Sequence, residues 1–138
     1  AALALHDIPF DETLTLRGSF EREIAYDAMK TFLSAPDRPV FDAVFAGDDD
    51  AAIGVYEALH EAGLCIPTDV RVVGFDDSRM APFLTPPLTT VRAPTENVGR
   101  LAAQHLFTLL DGRLSEKATV LATEMITRGS CGCYQPSE

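Results

Sequence analysis

Two groups of carboxylates in this chain each follow directly on a short apolar run. Asp48, Asp49 and Asp50 come after residues 40–46, and Asp76 and Asp77 come after residues 70–75. Ionised carboxylates only accept hydrogen bonds, so several of them gathered beside backbone amides suit a small polyhydroxylated or nitrogenous ligand. Phe20, in GSFEREIAY, adds an aromatic face that such a ligand could rest on. Each feature also has a plain structural reading. Asp before a helix is a common N-cap, so one of the three residues 48–50 is expected to do only that. A loop carboxylate such as Asp76 can bond its own turn, and Phe20 can belong to the core or lie as a lid over the following helix.

The elements that must place these residues can be read from periodicity. The opening, AALALH, has the composition of a helix end, and TLTLRGSF (13–20) alternates as a short strand would. Residues 21–36 then put Ile24, Ala28, Phe32 and Leu33 on one helical face until Pro36 stops it. Residues 40–46 form a second apolar run. From Asp50 the positions Ile53, Tyr56, Leu59 and Ala62 recur at helical spacing, with Gly63 as a left-handed cap. Residues 70–75 form a β-branched run suited to a buried strand, and MAPFLTPPL (80–88) is a proline-punctuated loop. LTTV (88–91) is extended, residues 95–110 form a long amphipathic helix ended by Asp111-Gly112, and residues 120–128 alternate as a last strand. Alternating strands and helices with short connections imply an α/β fold with a parallel sheet flanked by helices. In such a sheet the carboxyl ends of the strands share one edge, the usual ligand crevice, and Phe20, Asp48–Asp50 and Asp76–Asp77 all fall there.

Other chemistries find little support. The Asp triplet lacks the alternating ligands, turn glycine and distal glutamate of a calcium loop. Cys131 and Cys133 have no second pair, and His6, His60 and His105 fall in unrelated elements, so neither a metal nor a cofactor is expected. There is no Gly-rich phosphate loop and no G-x-S-x-G elbow, and nothing marks one carboxylate as acid and another as nucleophile, so no enzyme is expected. With 138 residues, 46% of them hydrophobic, the chain is long enough for one core. Its net charge of −10, with Lys and Arg scattered, excludes a phosphate-gripping stripe for DNA or an anionic membrane. No apolar run approaches the roughly 20 residues of a membrane helix, and no signal peptide is visible. Three cysteines, an odd number, fit a reducing compartment, and a cytoplasmic location is expected.

The motifs FAGDDDAAIG, EALHEAGLCIPTDVRVVGFDD, PPLTTVRAPTENVGRLAAQHL and ITRGSCG occur in that order between Gly18 and Gly132. Together they resemble the C-terminal part of the effector-binding core of the LacI/GalR repressors. The resemblance implies a two-lobed type I periplasmic-binding-protein fold that takes a sugar or related metabolite between its lobes, dimerises, and binds operator DNA through an N-terminal helix-turn-helix.

Carried over position by position, Asp76 of GFDD matches the carboxylate that bonds the effector. Asp48 stands where the family often has Asn, in a motif of the form N-D-x-M-A-x-G. An acid there keeps the acceptors and loses the donors, which changes the ligand preference. Asp49 matches the acid that follows and is assigned to helix capping. Phe20 matches an aromatic that stacks on ligand in some members, and the 80–88 loop resembles part of a dimer interface. The resemblance further implies that an N-terminal lobe, a central strand of this lobe with a ligand-contacting arginine, and the DNA-binding domain are not included in the stretch seen here. Residues 1–130 are therefore expected to be the C-terminal portion of an effector-binding domain with an incomplete fold, and 131–138 a tail. A sheet without its central strand invites pairing with another chain, so a dimer or strand-exchanged assembly, or a gap in the sheet, is expected. Three alternatives stand beside the repressor reading. The tail fits a LacI-like sensor module fused to a histidine kinase or diguanylate cyclase, a periplasmic sugar-binding protein is the second, and an enzyme is the least supported.

Overall fold

The computed structural model describes residues 2–113 and 118–133. The first helix, α1 (Ala2–Leu5), is short and buries none of its residues. A 3₁₀ turn at Glu12–Leu14 follows, capped by Asp11, whose carboxylate accepts from the Thr13 amide at 2.9 Å. Helix α2 (Arg22–Ser34) buries Ala25 and Met29, with Phe32 and Leu33 half-buried on the same stripe. Spacings of four, seven and eight residues place all four on one side of a 3.6-residue helix. Strand β1 (Ala43–Phe45) leads into α3 (Asp49–Glu61), which is closed by Gly63 at φ +74°. There the Leu64 amide reaches back to the Leu59 carbonyl at 2.9 Å, a left-handed C-cap that glycine adopts without steric cost.

Strand β2 (Arg71–Phe75) pairs parallel with β1 and with β3 (Thr89–Arg92), while β4 (Glu124–Ile126) runs antiparallel on the far side of β3. The strand order is β1-β2-β3-β4. The expected parallel sheet is thus formed by β1, β2 and β3, and the last strand is reversed. The strand expected over residues 120–128 pairs only at Glu124–Ile126. The core lies between α2, α3 and the sheet, around Met29, Tyr56, Leu59, Val72 and Leu88. Helix α3 packs on both α2 and β2 and is buried on most of its circumference.

Two departures from the sequence reading have physical causes. Residues 13–20 do not form a strand among the described residues. Their alternation is real, but a strand exists only where a neighbour takes its backbone hydrogen bonds. Instead Leu14, Leu16 and Gly18 border an apolar groove of about 510 Å³ whose other wall is β1, and β1 is left as an edge strand with Phe45 exposed. Helix α4 (Thr95–Leu110) has the expected bounds but buries none of its residues, leaving Val98, Leu106, Phe107, Leu109 and Leu110 exposed. The tail expected at 131–138 begins with Cys131 tucked against the sheet, and from residue 134 it lies outside the described residues.

Candidate functional site

Parallel pairing sets the geometry of the ligand edge. The register pairs Phe45 with Val73, so Asp48 and Asp76, each three residues further on, leave the sheet past the same edge. Phe20 reaches this edge from the turn before α2. Its ring lies so close to Gly47 that a Cβ there would come within 3.0 Å of Cε1. Gly47 therefore admits the ring over the β1–α3 turn, and the ring itself is mostly exposed.

The three aspartates at the start of α3 have different jobs. Asp48 is the N-cap: its backbone is extended, at φ −151° and ψ −178°, and its Oδ1 accepts from the Ala51 amide at 2.8 Å. The assignment of the cap to Asp49 is therefore corrected. A cap needs a residue still outside the helical φ/ψ region whose side chain can turn back onto the first-turn amides, and Asp49 is already helical. Asp49 instead points into the protein, where it is 1% exposed. Its Oδ1 accepts from the Thr90 hydroxyl at 2.6 Å and its Oδ2 from the Ser78 amide at 2.6 Å. Thr90 Oγ1 in turn accepts from the Asp77 amide at 3.3 Å. Gly74 makes room for this carboxylate, since a Cβ at 74 would overlap Asp49 Oδ1. Asp50 is exposed in the first turn of α3.

At the end of β2 the chain passes through two left-handed residues, Asp76 at φ +96° and Asp77 at φ +51°. Aspartate tolerates this region better than most residues, yet two in succession need support from their surroundings. The Asp76 amide donates to the Val91 carbonyl at 2.8 Å, and its carboxylate is exposed, with no hydrogen bond or ion pair among the described residues. Asp77 is the opposite case. Arg128 donates to its Oδ1 at 2.6 Å and Arg92 Nε to its Oδ2 at 2.7 Å, while Arg128 also donates to the Leu88 carbonyl at 2.8 Å.

Burial pushes the Asp77 carboxyl up, and the hydrogen bonds and charges of Arg128 and Arg92 outweigh it, holding the group below the ordinary value of 3.8. Because the folded-state value is lowered, these bonds stabilise the fold fully above the unfolded value and are lost as pH falls from about 3.8 through the lowered value. Asp77→Asn is expected to cost about 1–3 kcal/mol at neutral pH and to remove this acid-dependent component. Urea unfolding of both proteins at about pH 7 and about pH 3 checks it. Equal acid losses in the two would place the sensitivity elsewhere.

Of the residues picked out in the sequence, the structure thus brings Asp48, Asp76 and Phe20 to one edge of the sheet and turns Asp49 away from it. Sequence reasoning missed Thr90, Arg92, Arg128 and the amide of Ser78, which hold the turn. The available signal was a threonine at a buried strand position level with a run of carboxylates.

A family model described as a periplasmic binding protein-like domain matches residues 1–131. The chain is 47% identical over 108 residues to the lactose operon repressor of Rhizobium radiobacter, covering 78% of this chain and 94% of that sequence. It is 38% identical over 131 residues to the ribose operon repressor of Escherichia coli, covering 94% of this chain and 39% of the relative. Among solved structures, the transcriptional regulator CelR–cellobiose complex matches with a TM-score of 0.83 at 38% identity, over 94% of this chain and 39% of that one. A LacI family regulator from Arthrobacter in complex with lactose matches with a TM-score of 0.68 at 31% identity, over 80% of this chain and 41% of its own. The chain therefore spans about two-fifths of the ribose repressor and of both regulators. No helix among the described residues is long and apolar enough to cross a membrane.

Proposed function

Because this chain belongs to the LacI family and forms part of its periplasmic-binding-protein-like, effector-binding domain, we propose that it is the sugar-sensing portion of a transcriptional repressor. The observation that carries the reading is the exposed Asp76 carboxylate, without a partner among the described residues and held out on a left-handed turn at the edge where β1 and β2 end. Its oxygens are free to accept from ligand hydroxyls. Asp48 has one oxygen on the helix cap, which leaves Oδ2 as a further acceptor, and Phe20 offers an apolar face beside it.

An effector bound at this edge is closed over by a second lobe, and its unequal affinity for two lobe orientations shifts their populations. Dimerisation places the 80–88 loop, with Met80 and Phe83 exposed, between two copies. Operator DNA is contacted by another part of the protein, in keeping with the −10 charge and scattered basic residues here. The matched relatives are transcriptional regulators, so neither the signalling-sensor nor the periplasmic alternative is favoured.

The reading is tested on the full-length protein by calorimetric titration with lactose, cellobiose and ribose. A hydrogen-bonded charged acceptor is worth about 1.5–3 kcal/mol, so Asp76→Ala is expected to weaken whichever sugar binds by about 10- to 100-fold. Unchanged affinity would show that the ligand sits elsewhere.

A further inference from the structure

We infer that Asp49 is a positioning residue for the ligand edge, acting through Thr90 and Ser78 to aim the Asp76 carboxylate; the inference rests on the reading of Asp76 given above. One buried carboxylate ties three separate elements together. It belongs to the first turn of α3, takes the hydroxyl of β3's Thr90 at 2.6 Å, and takes the amide of Ser78 in the loop after β2 at 2.6 Å. Through Thr90 Oγ1, which accepts from the Asp77 amide, it also holds the residue next to Asp76.

Two consecutive residues with positive φ are costly to maintain, and the bonds at Asp77 and Ser78 fix their backbone from the inside. Arg92 and Arg128 fix the Asp77 side chain from the other side. Of the two acids in this turn, Asp77 has side-chain partners and Asp76 has none among the described residues. Clamping its neighbours fixes the backbone from which the exposed side chain projects before ligand arrives, which lowers the ordering cost of binding. Gly74 shows that space for Asp49 is built into the strand, because any side chain there would collide with Oδ1. A carboxylate accepts from both partners as they stand; an amide has one acceptor oxygen and would turn its N–H₂ group towards the other partner, so that the Thr90 hydroxyl must reverse its bond or the Ser78 amide loses its own.

Two measurements on the full-length protein test the inference. The first is amide hydrogen exchange in wild type, Asp49→Asn, Thr90→Val and Thr90→Ser. Exchange is expected to be about 10-fold or more faster at Asp77 and Ser78 in Asp49→Asn and at Asp77 in Thr90→Val, near wild type in Thr90→Ser, and unchanged at the core amides of Leu59 and Val72. Thr90→Val keeps the test valid if Asp49→Asn does not fold. Unaltered exchange at Asp77 and Ser78 in the folded variants overturns the inference.

The second measurement is a double-mutant cycle in the affinity for lactose, cellobiose or ribose, whichever the wild type binds. Asp49→Asn is expected to weaken binding by about 10-fold in the wild-type background and by less than about 2-fold in the Asp76→Ala background. An equal loss in both backgrounds would show a general structural role and overturn the inference while leaving the Asp76 site standing. If the wild type binds none of the three sugars, the sugar-sensing reading fails and takes the positioning role with it.

Discussion

Gly54→Ala is expected to destabilise the protein by about 3 kcal/mol or more, although it adds a single methyl group and improves the intrinsic helix propensity of α3. Helices α2 and α3 make the most extensive contact between elements of the structure, and they meet main chain to main chain at this residue. A Cβ on residue 54 would overlap the Arg22 carbonyl oxygen and lie 2.8 Å from the Tyr26 nitrogen. Both atoms are backbone, so no rotamer change relieves the overlap and α2 must move as a body. That motion separates Met29 and Ala25 from Val55, Ala51 and Leu59 and opens the core. Gly99 on α4 is the control, because a Cβ there meets nothing within 4 Å. Gly99→Ala is expected to be neutral or stabilising by up to about 1 kcal/mol. Urea unfolding of both variants decides the matter: a loss below about 1 kcal/mol for Gly54→Ala would mean that the helices separate without penalty.

Removal of one hydroxyl should have the next largest effect. Ser130 is fully buried between β2 and β3; its Oγ donates to the Val72 carbonyl at 2.5 Å and accepts from the Thr89 amide at 2.8 Å. Its own carbonyl accepts from the Val72 amide at 3.0 Å, so residue 130 fastens the final segment to the sheet with both main chain and side chain. Ser130→Ala leaves a buried N–H without a partner and weakens the satisfaction of a buried carbonyl. At about 1–3 kcal/mol for each unsatisfied buried group, the expected loss is about 2–4 kcal/mol. Chemical denaturation measures it, and hydrogen exchange localises it: the Thr89 amide should lose protection, whereas amides on α2 should not. A stability unchanged within about 0.5 kcal/mol would show that water has replaced the hydroxyl.

The periodic elements are legible in the sequence itself. Helices α2, α3 and α4 are readable because their apolar residues recur at 3.6-residue spacing over three turns or more, and β2 because a β-branched run of that length needs two covered faces. The edge of the sheet is legible too for Asp48 and Asp76, since parallel strands must end together; Phe20 reaches it from the turn before α2 and not from a strand end. What misleads is information that is not local. Residues 13–20 alternate as a strand does, but pairing depends on a neighbour that sequence pattern cannot supply, and these residues face an open groove instead. The final strand keeps only Glu124–Ile126, because β3 offers partners from Thr90 to Arg92 alone.

The carboxylates mark the division most clearly. Residue types and their place after apolar runs determined by themselves that acids gather where strands end and that one of them caps a helix. Which acid does which task was decided by tertiary structure. Adjacent identical side chains on a helix start point in directions about 100° apart, so the exact residue at which the helix begins sends Asp48 back onto its own amides and Asp49 into the sheet. The same applies after β2, where Arg92 and Arg128 claim Asp77 and leave Asp76 exposed, and residues 51 positions apart in the chain meet only once the strands have paired. Local spacing carries composition and phase along the chain. The partners of a buried charge come from other elements, and folding alone brings them within hydrogen-bonding distance.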